Sequence, residues 1–147
     1  MSDSPMSCVL LADRHHGLSE GLRGLLETAV GTVVMVADEA SLLEGAVRLL
    51  PDLAVVDLSL ARGSGLDWLR ELRRRCPALK VIVLSVHDEQ SVRSAAIAAG
   101  ADAFVLKRAI ATDLLPAVDA VRRGQSVEET TDEGRPTSKR KPSAPVR

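Results

Sequence analysis

Pro51-Asp52-Leu53-Ala54-Val55-Val56-Asp57 is the stretch on which the reading of this chain turns. Leu53 to Val56 is a short apolar run, too short for a helix, and its valines suit a strand buried on both faces. The run ends in a carboxylate, Asp57. Leu-Ser-Leu-Ala-Arg-Gly-Ser-Gly follows as a loop signal, and a new helical pattern begins after it. A strand that carries an acid to its carboxyl end, then a loop and a helix, is a unit of an open α/β sheet. Sites in such sheets lie outside the carboxyl ends of the strands, which is where Asp57 falls. Taken alone, the stretch favours a plainer reading, an Asp that closes a strand and opens a turn.

The same unit recurs on either side. Cys8 to Ala12 is an apolar run closed by Asp13, followed by Leu18, Leu22, Leu25, Leu26 and Ala29 at helical spacing. Thr32 to Ala37 reads as a second strand. Ser41 to Leu50 reads as a helix with Leu42, Leu43, Ala46, Val47 and Leu50 on its apolar face, stopped by Pro51. Beyond Asp57, a helix from about Leu66 to Arg75 buries Leu66, Leu69 and Leu72. Lys80 to Leu84 is a fourth strand with Ser85 at its end. Residues 89 to 99 form an Ala-rich helix closed by Gly100. Ala103 to Leu106 is a fifth strand that delivers Lys107. Thr112 or Asp113 caps a last helix through Arg123, with Pro116 expected in its first turn. Five β-α repeats call for a parallel sheet with helices on both faces. Residues 1–7 read as a flexible terminus and 8–124 as the folded domain. From Gln125 the chain is polar and nearly free of apolar residues, so 125–147 is expected to stay disordered.

Composition narrows the function. The chain has 147 residues and a formal net charge of −1, so no global field draws it to nucleic acid or a membrane surface. Trp68 and Phe104 are the only aromatics, which leaves no stacking platform for single-stranded nucleic acid. Cys8 and Cys76 form neither a disulfide framework nor a metal spacing and suit a reducing cytoplasm. No apolar run is long enough to span a membrane.

Asp13, Asp57, Ser85 and Lys107 each stand at the end of a predicted strand, and in a parallel sheet those ends share one edge. One polar strand end is commonplace; an acid pair, a hydroxyl and an ammonium in this order are not. Here the chain resembles the receiver domains of bacterial two-component response regulators, the CheY-like flavodoxin-type fold, and within them the NarL/FixJ subfamily. The resemblance rests on Val-Leu-Leu-Ala-Asp-Arg-His, Pro-Asp-Leu-Ala-Val-Val-Asp-Leu, Gly-Ser-Gly-Leu-Asp-Trp-Leu, Val-Ile-Val-Leu-Ser and Ala-Gly-Ala-Asp-Ala-Phe-Val-Leu-Lys. It covers residues 8 to about 124. It implies a doubly wound (βα)5 sheet with strand order 2-1-3-4-5. It also implies that Asp57 accepts a phosphoryl group from a histidine kinase or small donor, and that Lys107 pairs with the phosphoryl oxygens. Ser85 would donate a hydrogen bond to them, and Phe104 matches the aromatic that rotates inward as the loop after strand four moves. Taken singly, that Lys is a solvated side chain, the Ser a turn residue and Phe104 plain core.

The pattern breaks at one position. The resemblance implies two adjacent acids after the first strand, the second ligating Mg²⁺, whereas this chain has Asp13-Arg14. Three carboxylates and a Lys would sum to about −2 and attract a hard dication, but Asp13, Arg14, Asp57 and Lys107 sum to about zero. Mg²⁺ on Asp13 and Asp57 is therefore disfavoured, and no cofactor is expected. Arg14 is expected to sit between Asp13 and Asp57 in its place, unless it points to solvent and only the ligand is lost. His15, His16 and His87 read as loop residues. Gly63-Ser64-Gly65 lacks the glycine pattern of a phosphate-binding loop.

Two functions stay open. One is a receiver that switches partners through phosphorylation of Asp57, impaired in its use of Mg²⁺. The other is a receiver that acts as an interaction or dimerisation module without aspartyl phosphate. An enzyme acting on a small molecule is a distant third reading. The last helix offers Leu114, Leu115, Val118 and Val121, some of it expected to exceed what the sheet covers. The resemblance allows dimers through the first and last helices or through the fourth helix and fifth strand. No helix-turn-helix follows in this sequence, so nucleic acid enters only if such a domain belongs to a longer chain.

Overall fold

In the computed structural model, which describes residues 7–61 and 65–124, five strands form one parallel sheet in the order β2-β1-β3-β4-β5. The strands are β1 (Cys8–Ala12), β2 (Thr32–Val36), β3 (Leu53–Asp57), β4 (Lys80–Ser85) and β5 (Ala103–Leu106). The helices between and after them are α1 (His16–Glu27), α2 (Glu39–Leu49), α3 (Asp67–Arg75), α4 (Gln90–Ala99) and α5 (Ile110–Arg122). Strand order and architecture match the expectation. The polar tail from 125, residues 1–6, and Gly63 and Ser64 lie outside the described residues. Ser7, expected in the flexible terminus, is tied down: its amide donates to Asp52 Oδ2 at 2.9 Å and its carbonyl accepts from Thr32 at 2.8 Å.

Alternation along the buried strands divides the core in two. Leu10, Ala54, Val56, Val83 and Phe104 face α2, α3 and α4, while Val9, Leu11, Val55, Leu84 and Val105 face α1 and α5. Register follows from the same pattern. Val56 lies opposite Ala12 and Val83, and Asp57 opposite Leu84. Sliding β3 one residue inward would drag the Asp57 carboxylate between apolar neighbours, at a desolvation cost of roughly several kcal/mol. The acid therefore helps pin the register that places it at the sheet edge.

Three local expectations are corrected. Helix α2 buries Leu42 and Ala46, but Val47 is 45% and Leu50 76% exposed, so its covered stripe is narrower than the apolar pattern. Its true cap is Asp38, whose Oδ1 accepts from Ser41 N at 2.8 Å. Helix α5 starts at Ile110, straight out of a 3-10 turn over Lys107–Ala109, so Thr112 and Asp113 are already helical and Pro116 lies inside the helix. Pro116 cannot donate to the carbonyl of Thr112, and the helix continues because its inner face is held by packing. That face, Leu114, Val118 and Val121, is buried on the sheet and only Leu115 is partly exposed, so the expected surplus stripe is not present.

Gly100 closes α4 with φ 126°, a region that costs any side chain. A Cβ there would also overlap Cγ of Arg73, whose guanidinium is held by the Leu79 carbonyl and by Asp102 at 3.6 Å. Gly100→Ala should cost about 1–3 kcal/mol, read by equilibrium urea unfolding.

Candidate functional site

β1 and β3 are neighbours, so their carboxyl ends bring Asp13 and Asp57 together. The Asp13 amide still donates to Val36 O at 3.1 Å, which extends the sheet by one bond and turns its side chain over the edge. Asp13 Oδ1 then accepts from the His15 amide at 2.8 Å, an Asx turn that fixes the start of the next loop. Asp57 makes a similar turn: Ser59 N donates to Oδ1 at 3.1 Å and Ser59 Oγ to Oδ2 at 2.9 Å. Both carboxylates are buried, Asp13 at 4% and Asp57 at 2% exposure.

Lys107 enters from the end of β5, two strands from β3. Its ammonium lies 2.9 Å from Asp57 Oδ2 and 3.8 Å from Asp13 Oδ2. Burial alone would raise the Asp57 pKa. The hydrogen bond and charge of Lys107, with the two bonds from Ser59, outweigh it and hold the carboxyl below its ordinary value of 3.8. Asp57 is thus an ionised carboxylate at neutral pH, as a carboxylate nucleophile must be. It opens onto a cavity of about 770 Å³ lined by Arg14, His15, Ser85, His87 and Lys107 among others.

Sequence reasoning placed Asp13, Asp57, Ser85 and Lys107 at one edge, and the structure brings them there. Ser85 is buried at the end of β4, but its hydroxyl is engaged by its own loop, accepting from His87 N at 2.8 Å and donating to His87 O at 3.1 Å. Phe104 is fully buried, on the face that packs α2, α3 and α4, with the Arg93 guanidinium carbon 4.8 Å from its ring centre.

Arg14 is corrected. It is exposed on the cavity rim and, among the described residues, makes no ion pair with Asp13 or Asp57. The cation between the carboxylates is Lys107, and the imidazole of His15 joins it. His15 Nδ1 lies 3.2 Å from Asp13 Oδ1 and 3.6 Å from Asp57 Oδ2, so His15 belongs to the site and is not a plain loop residue. The Asx turn after Asp13 explains the exchange, because it directs the second residue of the loop inward and the first outward. His15 and Ser59 were both missed. An Asp followed two residues later by a turn-forming partner was the available signal.

Asp13, His15 and Asp57 offer metal-ligating atoms that all lie within 4.8 Å of one another. Asp13 Oδ2 is buried and, among the described residues, has no hydrogen-bond partner. The Mg²⁺ implied by the resemblance would be held by Asp13 and Asp57, but it demands near-octahedral oxygen donors. Arg14 stands at the position of the third acid and supplies no ligand, and the remaining donors are two carboxylates and the His15 imidazole, so this set does not fit that ion.

Residues 9–119 match the family model of the response regulator receiver domain. The nitrate/nitrite response regulator protein NarP of Escherichia coli is 38% identical over 121 residues, 81% of this chain and 56% of that protein. Transcriptional regulatory protein MctR of Rhizobium johnstonii is 30% identical over 84% of this chain and 59% of its own length. The chain thus spans a little over half the length of these curated relatives. A LuxR-family two-component response regulator from Aurantimonas superposes with a TM-score of 0.77 at 27% identity, covering 84% of this chain and 89% of that one. No helix among the described residues is long and apolar enough to cross a membrane.

Proposed function

Since this chain belongs to the response-regulator receiver family, we propose that Asp57 is its phosphoacceptor and that a histidine kinase or a small acyl phosphate is the donor. The observation that carries this reading is a buried carboxylate at the mouth of a cavity, held 2.9 Å from the Lys107 ammonium. In the transfer a carboxylate oxygen of Asp57 forms a bond to phosphorus while the bond from phosphorus to the donor's nitrogen or oxygen breaks, and the leaving group keeps the electron pair. Lys107 neutralises charge on the phosphoryl oxygens as a point cation. Ser85 reaches them once its hydroxyl leaves the His87 backbone. Arg14 supplies no ligand for Mg²⁺, so transfer that depends on that ion is slow. The family's output is signalling.

A second reading has its own observation. Lys107 already closes on both carboxylates, Phe104 is inward, and Arg93 lies against its ring. Such a receiver rests in one state and signals by contact, without aspartyl phosphate.

Incubation with acetyl phosphate followed by intact-mass analysis tests the two. On the first reading, one phosphate is added and Asp57→Asn abolishes it. Absence of label at all donor concentrations, with and without divalent ions, leaves the contact module.

A further inference from the structure

The pocket disagrees with the all-oxygen cage expected of its family, and the disagreement has a chemical direction. We propose that Asp13, His15 and Asp57 form a mixed oxygen–nitrogen site for a borderline divalent transition ion, Zn²⁺ being the representative, and that the same site discriminates against Mg²⁺.

Three observations carry this. The first is donor chemistry: two carboxylates and an imidazole suit zinc-like ions, whereas Mg²⁺ takes oxygen and sheds water reluctantly. The second is spacing. Two ligands about 2.1 Å from one ion at a tetrahedral angle lie about 3.4 Å apart. His15 Nδ1 lies 3.2 Å from Asp13 Oδ1 and 3.6 Å from Asp57 Oδ2, on either side of that value; all three ligand atoms lie within 4.8 Å of one another, so the two carboxylates are the pair that must draw together on the ion. The third is Asp13 Oδ2, an acceptor with its side chain at 0% exposure and, among the described residues, no hydrogen-bond donor on it. It lies on the site, 3.8 Å from the Lys107 ammonium, which is beyond hydrogen-bond reach.

The surroundings complete the arrangement. Ser59 and Lys107 hold the Asp57 carboxylate in place, and the Asx turn holds Asp13, so two ligands are oriented by an outer shell. The side chain of His15 is 53% exposed, which gives the ion an entry path from the cavity. The buried charges of Asp13, Asp57 and Lys107 sum to about −1 and Arg14 on the rim brings the total to about zero, so the choice of ion rests on donor chemistry and not on net charge. This inference rests on geometry and does not depend on Asp57 accepting phosphate.

The test is calorimetric titration of the full chain with Zn²⁺ alone and with Mg²⁺ alone, with His15 ring ¹⁵N shifts followed by NMR. One equivalent of Zn²⁺ should bind about 100-fold more tightly than Mg²⁺ and move the His15 Nδ1 resonance. His15→Ala should weaken Zn²⁺ by at least about tenfold while circular dichroism shows the fold intact. Cys8→Ser and Cys76→Ser, which remove the thiols at the far edge of the sheet, should leave the affinity unchanged. The proposal is overturned if Mg²⁺ binds as tightly as Zn²⁺, if His15→Ala leaves Zn²⁺ binding unaltered, or if either thiol variant abolishes it. Phosphate uptake on Asp57 is scored separately by mass, so loss of either result leaves the other standing.

Discussion

Lys107→Met should destabilise the protein by about 3 kcal/mol at neutral pH, at the lower end of what removing one partner of a buried ion pair costs. Methionine keeps most of the length and apolar stem of the side chain, so the loss reports charge. Without the ammonium, Asp57 and Asp13 stay buried and face each other beside the half-exposed His15, with the Ser59 bonds left on Asp57. Burial, which the Lys107 bond and charge now outweigh, would then push the Asp57 carboxyl above its ordinary 3.8. The sign follows from linkage. In the native protein the depressed Asp57 pKa contributes stability that is present above 3.8 and lost as pH falls through the folded value. The variant lacks that contribution and carries a raised pKa instead, so its deficit should be largest at pH 7, shrink as pH falls through the raised value above 3.8, and be smallest well below 3.8, where the native carboxyl is protonated too. Urea unfolding at the two pH values reads this. Adding Asp57→Asn to Lys107→Met should recover at least about half of the loss, because the stranded charge is gone. A deficit below about 1 kcal/mol, unchanged by the second substitution, would mean that water screens the pair as it does on a surface.

How far the site was legible depends on whether a residue's place is set by the sheet or by a loop. Asp13, Asp57, Ser85 and Lys107 were legible because each ends an apolar run, and parallel pairing puts all such ends on one edge. His15 was not. A search for metal-ligand spacing along the chain looks for neighbours in sequence, whereas here the ligands meet because β1 and β3 pair. Arg14 and His15 are adjacent in a loop, and no periodicity says which one turns inward; one hydrogen bond from the His15 amide to Asp13 decides it. The helices show the same division. On α5 packing covers Leu114, Val118 and Val121, which the sequence offered as part of a surplus stripe, while Val47 and Leu50 of α2 continue an apolar pattern past the point where the sheet supports it. Leu50 departs furthest, since the helix ends there in a left-handed turn at φ 50°.

Arg14→Asp should tighten Mg²⁺ binding by about 100-fold, roughly 2.7 kcal/mol. Arg14 lies exposed on the rim of the cavity that Asp57 opens onto, so it repels an approaching dication without closing the site itself. The substitution acts twice. It removes that positive charge, and it offers a third carboxylate beside two that are already oriented, Asp13 by the His15 amide and Asp57 by Ser59 and Lys107. With Lys107 counted, the buried and rim charges change from about zero to about −2, the sum at which a hard dication leaves the pocket neutral. An oxygen donor in place of reliance on the His15 nitrogen shifts preference from Zn²⁺ toward Mg²⁺, so the ratio of the two affinities should fall as the Mg²⁺ affinity rises. Acetyl phosphate labelling of Asp57 should accelerate in parallel, because a bound Mg²⁺ would neutralise charge on the phosphoryl group in transit. Calorimetry with each metal and a labelling time course measure the three effects on one preparation. Mg²⁺ affinity in the native protein already equal to that of the variant would show that the side chain at this position neither repels nor replaces a ligand, and the account of the pocket's charge would fall with it.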